Sequence, residues 1–284
     1  MLRQPGAPAF DDLILHIGIQ KTGTTFVQNA IFPYWQGIHY TANDKLEVLL
    51  RVPENKPLLV SREGLSGQNW ADYETRERSI ARLARMFPNA RTMLSFRKHS
   101  GYIVSSYCQY LQRGGYLPFE QYFDPVSDTG YMKIEDFRFG HKVEAVERHF
   151  GTLPFIFFQE ELFRDLPQLL SDMQQFIGGQ APDPNSIRDE THNQSVKYHP
   201  AKLLRFLNRY SRSELNPQGK LPLYHRRLTR MKLDPRSICQ YWLSFAPKRP
   251  MIDETTKQRI EALYRDDWEA VQKVAGQRRS LHGS

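Results

Sequence analysis

Cysteine is almost missing: the 284 residues contain two, Cys108 and Cys239. Two cannot build a disulfide framework or a Cys-rich zinc site, and a reducing compartment is the natural expectation. Long apolar runs are also missing. The longest, 13–19 and 153–158, have the length of strands and fall far short of the roughly 20 residues a bilayer-spanning helix needs. The first 12 residues hold one Arg and no apolar stretch, so no signal peptide is expected. The expectation is a soluble, cytoplasmic chain with no transmembrane segment. Internal repeats and heptad arrays are lacking as well. With 40% hydrophobic and 25% charged residues, collagen-like and wholly disordered classes are excluded, and there is ample chain to bury a core.

Charge is unevenly spread. Of the overall +8, residues 196–250 carry 13 Lys/Arg against two acids, Glu214 and Asp234, a local +11 that leaves the rest at −3. Such a surplus attracts anions, whether nucleic acid, acidic glycan or phosphorylated small molecules; solvated helix faces are the plainer alternative.

The apolar pattern alternates between strand and helix. Strands are expected at 13–19, 57–60, 91–96 and 155–158, with a further one possible at 37–41. Helices are expected at 24–32, 73–86, 100–111, 134–150 and 166–177, and a last one, 254–274, has Ile260, Leu263, Tyr264, Trp268 and Val271 on one stripe. This rhythm argues for βαβ units and a mostly parallel sheet covered on both faces. Beyond Pro182 the pattern changes to helices and Pro-containing loops. The expected layout is one domain, 1–284, with an α/β core at 13–180, a helical basic region at 196–250 and a packing helix at 253–275.

The most informative stretch is Leu15-His-Ile-Gly-Ile-Gln-Lys-Thr-Gly-Thr-Thr-Phe26. A buried strand feeds a glycine-containing turn that opens a helix, where backbone N–H groups lack intrahelical acceptors and the macrodipole favours an anion. Gly23 lets the backbone approach a phosphate, and Thr22, Thr24 and Thr25 add hydroxyls. Against G-x-x-x-x-G-K-[ST], Gly18 and Gly23 hold the glycine positions and Thr25 the Ser/Thr position. Thr24 stands where lysine belongs, and the cation is Lys21, three residues earlier. A harmless strand-to-helix turn is the competing reading. A second stretch, Thr92-Met-Leu-Ser-Phe-Arg97, puts an Arg at a strand's C-terminal end with Ser105 eight residues on. Arg97 and Ser105 could receive a ribose phosphate across the carboxyl ends of the sheet.

Together these stretches resemble the two signatures of the sulfotransferases that use 3′-phosphoadenosine 5′-phosphosulfate. Those enzymes read Lys-Ser/Thr-Gly-Thr-Thr after the first strand, and an Arg at a later strand end with a Ser eight residues on. His16–Gly18 and Gln28 are similar to bacterial and carbohydrate-type members. The chain departs from the family where Asn/Lys-Pro-x-Asp/Glu often follows the Arg; here 98–101 read Lys-His-Ser-Gly. The resemblance covers roughly 13–178 and 253–275, and implies a three-layer, P-loop-like α/β fold with a helical basic C-terminal extension. It further implies sulfuryl transfer to a hydroxyl or amine, with adenosine 3′,5′-bisphosphate as product. Lys21 would steady the bridging oxygen, Thr22, Gly23, Thr24 and Thr25 would cradle the 5′-phosphate, and Arg97 and Ser105 would hold the 3′-phosphate. Phe26 occupies the place of an adenine-stacking aromatic, though a core position is equally open.

An acceptor hydroxyl needs a base. Glu63, at the end of the strand that begins at Leu58, is the nominee; a loop carboxylate paired with Arg62 or Arg97 is the alternative. His39 and Asp44 are weaker candidates, and His16 reads as a hydrogen-bonded core residue. His192–Ser195 could reach a nucleotide pocket or be plain loop. No His/Cys spacing suggests a metal. Tyr198, Tyr210, Tyr224 and Trp242, interleaved with Arg and Lys, could line a groove for an acidic or glycan acceptor or belong to the core. The rivals are a nucleotide kinase or ATPase on the same cradle and, last, a non-enzymatic polyanion-binding protein; no nucleic-acid motif is present, and no nucleic-acid partner is expected.

Overall fold

A computed structural model describes residues 12–42, 56–65, 73–187, 198–239 and 250–280. The strands are β1 (Leu13–Gly18), β2 (His39–Thr41), β3 (Leu58–Glu63), β4 (Arg91–Phe96) and β5 (Phe155–Phe158). The first helices are α1 (Thr24–Phe26), α2 (Tyr73–Met86), α3 (His99–Gln112), α4 (Phe119–Tyr122), α5 (Gly140–Phe150) and α6 (Glu161–Arg164). There follow α7 (Leu166–Ile177), α8 (Tyr198–Tyr210), α9 (Arg226–Arg230), α10 (Pro235–Ser237), α11 (Glu254–Leu263) and α12 (Arg265–Ser280). Among the described residues no helix is long and apolar enough to cross a membrane.

Contacts gather the chain into two compact units. One is drawn from Met1–Arg97, Arg138–Thr191 and Asp266–Ser284, the other from Lys98–Phe137 and His192–Arg265. The division cuts across sequence order. The helix after β4 groups with the basic region, because Asn208 Nδ2 on α8 donates to the carbonyls of Leu111 and Gly115, each at 2.7 Å. Ser100 Oγ likewise donates to Glu261 on α11 at 2.8 Å.

The first unit is α/β. Its sheet is all parallel, in the order β2-β3-β1-β4-β5, and flanked by helices. Every residue of β1 is buried, the unbroken apolar pattern that a strand covered on both faces requires. On β5 the two-residue period sorts side chains between the faces. Phe155 and Phe157 join α7 and the segment after β1 in one apolar cluster with Val27, Ile31, Phe32 and Phe176. Phe158 turns the other way, onto Trp268 of α12 at 4.8 Å between ring centroids, and Phe96 meets Phe139 at 4.6 Å.

Three helices differ from expectation. The stretch expected as one helix over 24–32 is α1 followed by a π-helical run at Val27–Ile31 and a 3-10 turn at Phe32–Tyr34; the other two are broken. The stretch expected as one helix over 134–150 is a 3-10 turn at Glu135–Phe137 followed by α5. The single C-terminal helix is two, α11 and α12, interrupted at Tyr264. Both breaks are fixed by contacts distant in sequence. The buried Asp267 carboxylate accepts the N–H groups of Phe139 (2.8 Å) and Gly140 (3.0 Å), so α12 caps the start of α5. Tyr264 donates its hydroxyl to the Ile134 carbonyl at 2.7 Å and stacks on His99 at 4.3 Å. Farther along α12, Arg279 forks onto Glu161 at 2.6 and 2.9 Å and donates to the Ile156 carbonyl at 2.9 Å.

Replacing Asp267 by Ala strands two N–H groups at a buried helix start. Stability to chemical denaturation should fall by about 2–3 kcal/mol; a loss below about half a kcal/mol would mean that other acceptors serve them.

Candidate functional site

The strand order sets where a ligand can lie. The chain leaving β1 goes outward to β2 on the β3 side, while the chain leaving β4 goes to β5 on the other side. β1 and β4 are thus neighbours whose following connections go to opposite sides. Open parallel sheets bind ligands at such a switch point, beyond the carboxyl ends of the strands. The residues that follow these two strands are the Lys21 loop and Arg97.

The loop is built from its own side chains. Thr22 Oγ1 donates to the Ile19 carbonyl at 2.6 Å, and Thr24 Oγ1 donates to the same carbonyl at 3.0 Å. Both threonines are buried. With the Thr22 proton spent on Ile19, the Ser95 hydroxyl, 2.7 Å away, is the donor in its bond to Thr22. That bond ties the loop to β4 two residues before Arg97. Gly18 and Gly23 are required by close approach: a Cβ at Gly18 would lie 2.8 Å from Thr24 Cγ2. At Gly23 it would lie 2.8 Å from Leu162 Cδ1, on a backbone at φ +89°.

Lys21 is a non-glycine residue at φ 70°. The left-handed region disfavours a residue with a Cβ, and such outliers concentrate where a site over-determines the backbone. Here the two threonine bonds to Ile19, each spanning Lys21 in the chain, close the turn that holds it there.

The structure revises parts of the sequence reading. The hydroxyl protons of Thr22 and Thr24 are committed to Ile19, so what these residues can give an anion is backbone N–H; Thr25 is half-buried. Phe26 is 8% exposed and belongs to the core cluster, with Phe163 at 6.2 Å. It is a packing residue, not an open platform for a base. His39 begins β2, in register with Leu58, which is in register with Leu13. It therefore lies at the opposite end of the sheet, about 17 Å along the strand direction from Gly18, too far to act as base at the loop. The backbone of Glu63 pairs with Gly18, and Gly64 N–H donates to Gly18 at 3.4 Å; the Glu63 side chain lies outside what is described. Asp44, His192–Ser195 and Trp242 also lie outside the described residues, as does the side chain of Tyr198. Ser105 is half-buried on α3 in the second unit. Tyr224, in that unit too, donates to Asn208 Oδ1 at 2.6 Å and serves its packing.

Two participants left no local trace in the sequence. Ser95 meets the loop from 73 residues away. Gln159, whose N–H donates to the Phe96 carbonyl at 2.8 Å, lies over Gly23 with its Cγ 3.3 Å from where a Cβ would be. Its Oε1 is buried with no hydrogen-bond partner among the described residues. Only strand neighbourhood brings these groups to the loop.

Under the loop lies a polar knot. His16 Nδ1 is 2.7 Å from Ser61 Oγ, Gln28 Nε2 donates to Ser61 Oγ (3.0 Å) and to its carbonyl (3.2 Å), and Tyr40 donates to the Gln28 carbonyl at 3.1 Å. His16 is the core residue it was expected to be: it is fully buried, between Phe32 and Phe157, and burial lowers its pKa to about 3.

A scan against protein-family models and a search of curated proteins each find no match.

The His16 shift carries a pH prediction. As pH falls below the ordinary value of 6.5, the unfolded chain takes up a proton that the folded one refuses. Stability present above pH 6.5 is therefore lost progressively down to about pH 3. By pH 5 the loss due to this residue should be about 2 kcal/mol. Urea denaturation at pH 7.5 and pH 5 should show that fall in the parent and a smaller one in His16→Gln; equal falls would reject the assignment.

Proposed function

We propose that this chain transfers a sulfuryl group from 3′-phosphoadenosine 5′-phosphosulfate to a hydroxyl or amine acceptor, on a core of the P-loop-like kind. The observation that carries the reading is the loop after β1. It holds Lys21 in a left-handed turn, buries two threonines that brace that turn, and is tied through Ser95 to β4, the strand that Arg97 follows. A lysine whose backbone is held in the turn before α1, with an arginine just past the end of the neighbouring strand, suits a nucleotide carrying anionic groups at both 5′ and 3′ positions.

In this reaction the acceptor atom attacks sulfur, the bond from sulfur to the 5′-phosphate oxygen breaks, and adenosine 3′,5′-bisphosphate leaves with that electron pair. Charge grows on the departing oxygen, and the Lys21 ammonium would meet it there. Backbone N–H groups at Thr24 and Thr25, first in the helix, would take the 5′-phosphate. The Arg97 guanidinium would take the 3′-phosphate, and Ser105 remains a candidate for it on the Arg–Ser spacing in the sequence. Glu63, at the end of the strand beside β1, would accept the acceptor's proton. The acceptor is proposed only as a hydroxyl or amine compound, with glycans among the candidates.

Calorimetry separates the classes. Adenosine 3′,5′-bisphosphate should bind far more tightly than AMP, and without Mg²⁺; preference for ATP·Mg²⁺ would hand the site to the kinase reading. Arg97→Ala should weaken the bisphosphate about 10–100-fold while leaving AMP unchanged. Lys21→Ala should lower turnover about 10²–10³-fold, with a much smaller effect on bisphosphate affinity. Unchanged turnover in Lys21→Ala would remove Lys21 from the reaction.

A further inference from the structure

The second unit carries an apolar stripe that its own folding leaves outside. On α8, Ala201, Leu204 and Asn208 are buried and face the unit. At 100° per residue, Leu203, Phe206 and Tyr210 lie roughly 150° around the helix from them. They are 38%, 60% and 48% exposed. Phe206 and Tyr210 touch edge to face at 5.4 Å. The stripe continues beyond the helix: the Leu221 N–H donates to the Tyr210 carbonyl at 2.8 Å, and Leu221 is itself 47% exposed.

This surface is firmly built. Asn216 Nδ2 donates to the carbonyls of Asn208 (2.9 Å), Arg209 (3.1 Å) and Ser211 (3.1 Å), closing the end of α8. The Arg212 N–H donates to the Leu221 carbonyl at 2.7 Å. Cations rim it. Arg209, Arg212 and Lys220 are exposed beside the stripe, and 198–239 hold ten Lys/Arg against two acids. Of those acids Asp234 is buried, its carboxylate capping α10 through Ser237.

We infer that this face docks on an anionic lipid surface, with Phe206, Tyr210 and Leu221 entering the headgroup boundary and the basic rim meeting lipid phosphates. Charge complementarity selects an anionic occupant, and the apolar stripe selects among anionic occupants. A dissolved glycan or nucleic acid offers rings and phosphates but no apolar phase for Leu203 and Leu221. A bilayer interface offers both, and a helix with aromatic and aliphatic residues outward beside Arg and Lys is matched to it. A protein partner would need some 20–30 residues on each side, whereas four apolar side chains suffice to add up interfacial binding. The inference is independent of the nucleotide chemistry.

The test is co-sedimentation of the full chain with vesicles of phosphatidylcholine alone and of phosphatidylcholine mixed equally with phosphatidylglycerol. The parent should pellet with the anionic vesicles and much less with the neutral ones, and added salt should weaken binding. Phe206→Ser with Tyr210→Ser, and separately Arg209→Glu with Lys220→Glu, should each reduce partitioning about tenfold or more. These side chains are exposed, and circular dichroism melting verifies that both variants stay folded. Equal binding to both vesicle types, or anionic binding that neither pair of changes affects, overturns the inference. Loss in the charge variant alone also overturns it, and would make the face a polyanion surface instead.

Discussion

The Ile19 carbonyl is the hinge on which the candidate site depends. It stands one residue past the central strand and accepts two threonine hydroxyls, from Thr22 and Thr24. A carbonyl at a strand end must find donors once the sheet no longer supplies them, and these two also close the turn around Lys21. The left-handed backbone at Lys21 costs free energy that this short cage offsets. Bracing the turn uses the same hydroxyls that a phosphate would otherwise attract, so the loop keeps its shape with no ligand bound and leaves backbone N–H groups for an anion. Such preorganisation is what a site stabilising developing charge requires.

A second constraint acts on the sheet from the far end of the chain. α12 brings Asp267 to the start of α5 and Arg279 to Glu161, which also accepts the Phe158 N–H at 2.7 Å. The end of β5, where Gln159 leans over Gly23, is thereby fixed by a helix more than a hundred residues away. Rigidity at the loop is partly imported from the C-terminal helix, through charge-assisted bonds in partly buried surroundings, where they are stronger than in water.

Several features could be read from the residues alone because their causes are local. An unbroken apolar run makes β1, Gly23 marks the turn, and the apolar spacing of 73–86 and 166–177 makes α2 and α7. His16 announced itself as a core residue by sitting inside the apolar strand. Other features could not be read, since each depends on a partner distant in the chain. The break at Tyr264 is set by Ile134 and His99, and the late start of α5 by Asp267. Phe26 fits an adenine platform or a core by sequence, and its place was decided by α6 and α7 closing over it. Thr22 and Thr24 look like ligands by type; the Ile19 carbonyl claims their protons.

The sequence by itself determined the alternation of strand and helix, the strand-to-helix loop with its displaced lysine, and the concentration of positive charge in 196–250, because periodicity, turn chemistry and composition act over a few residues. Only the tertiary structure decided that β1 is central, that β4 lies beside it so that Arg97 and the Lys21 loop follow adjacent strand ends, and that an apolar stripe on α8 points outward. Those outcomes follow from strand order and helix packing, in which groups tens of residues apart compete for the same neighbours, and no local pattern encodes the winner.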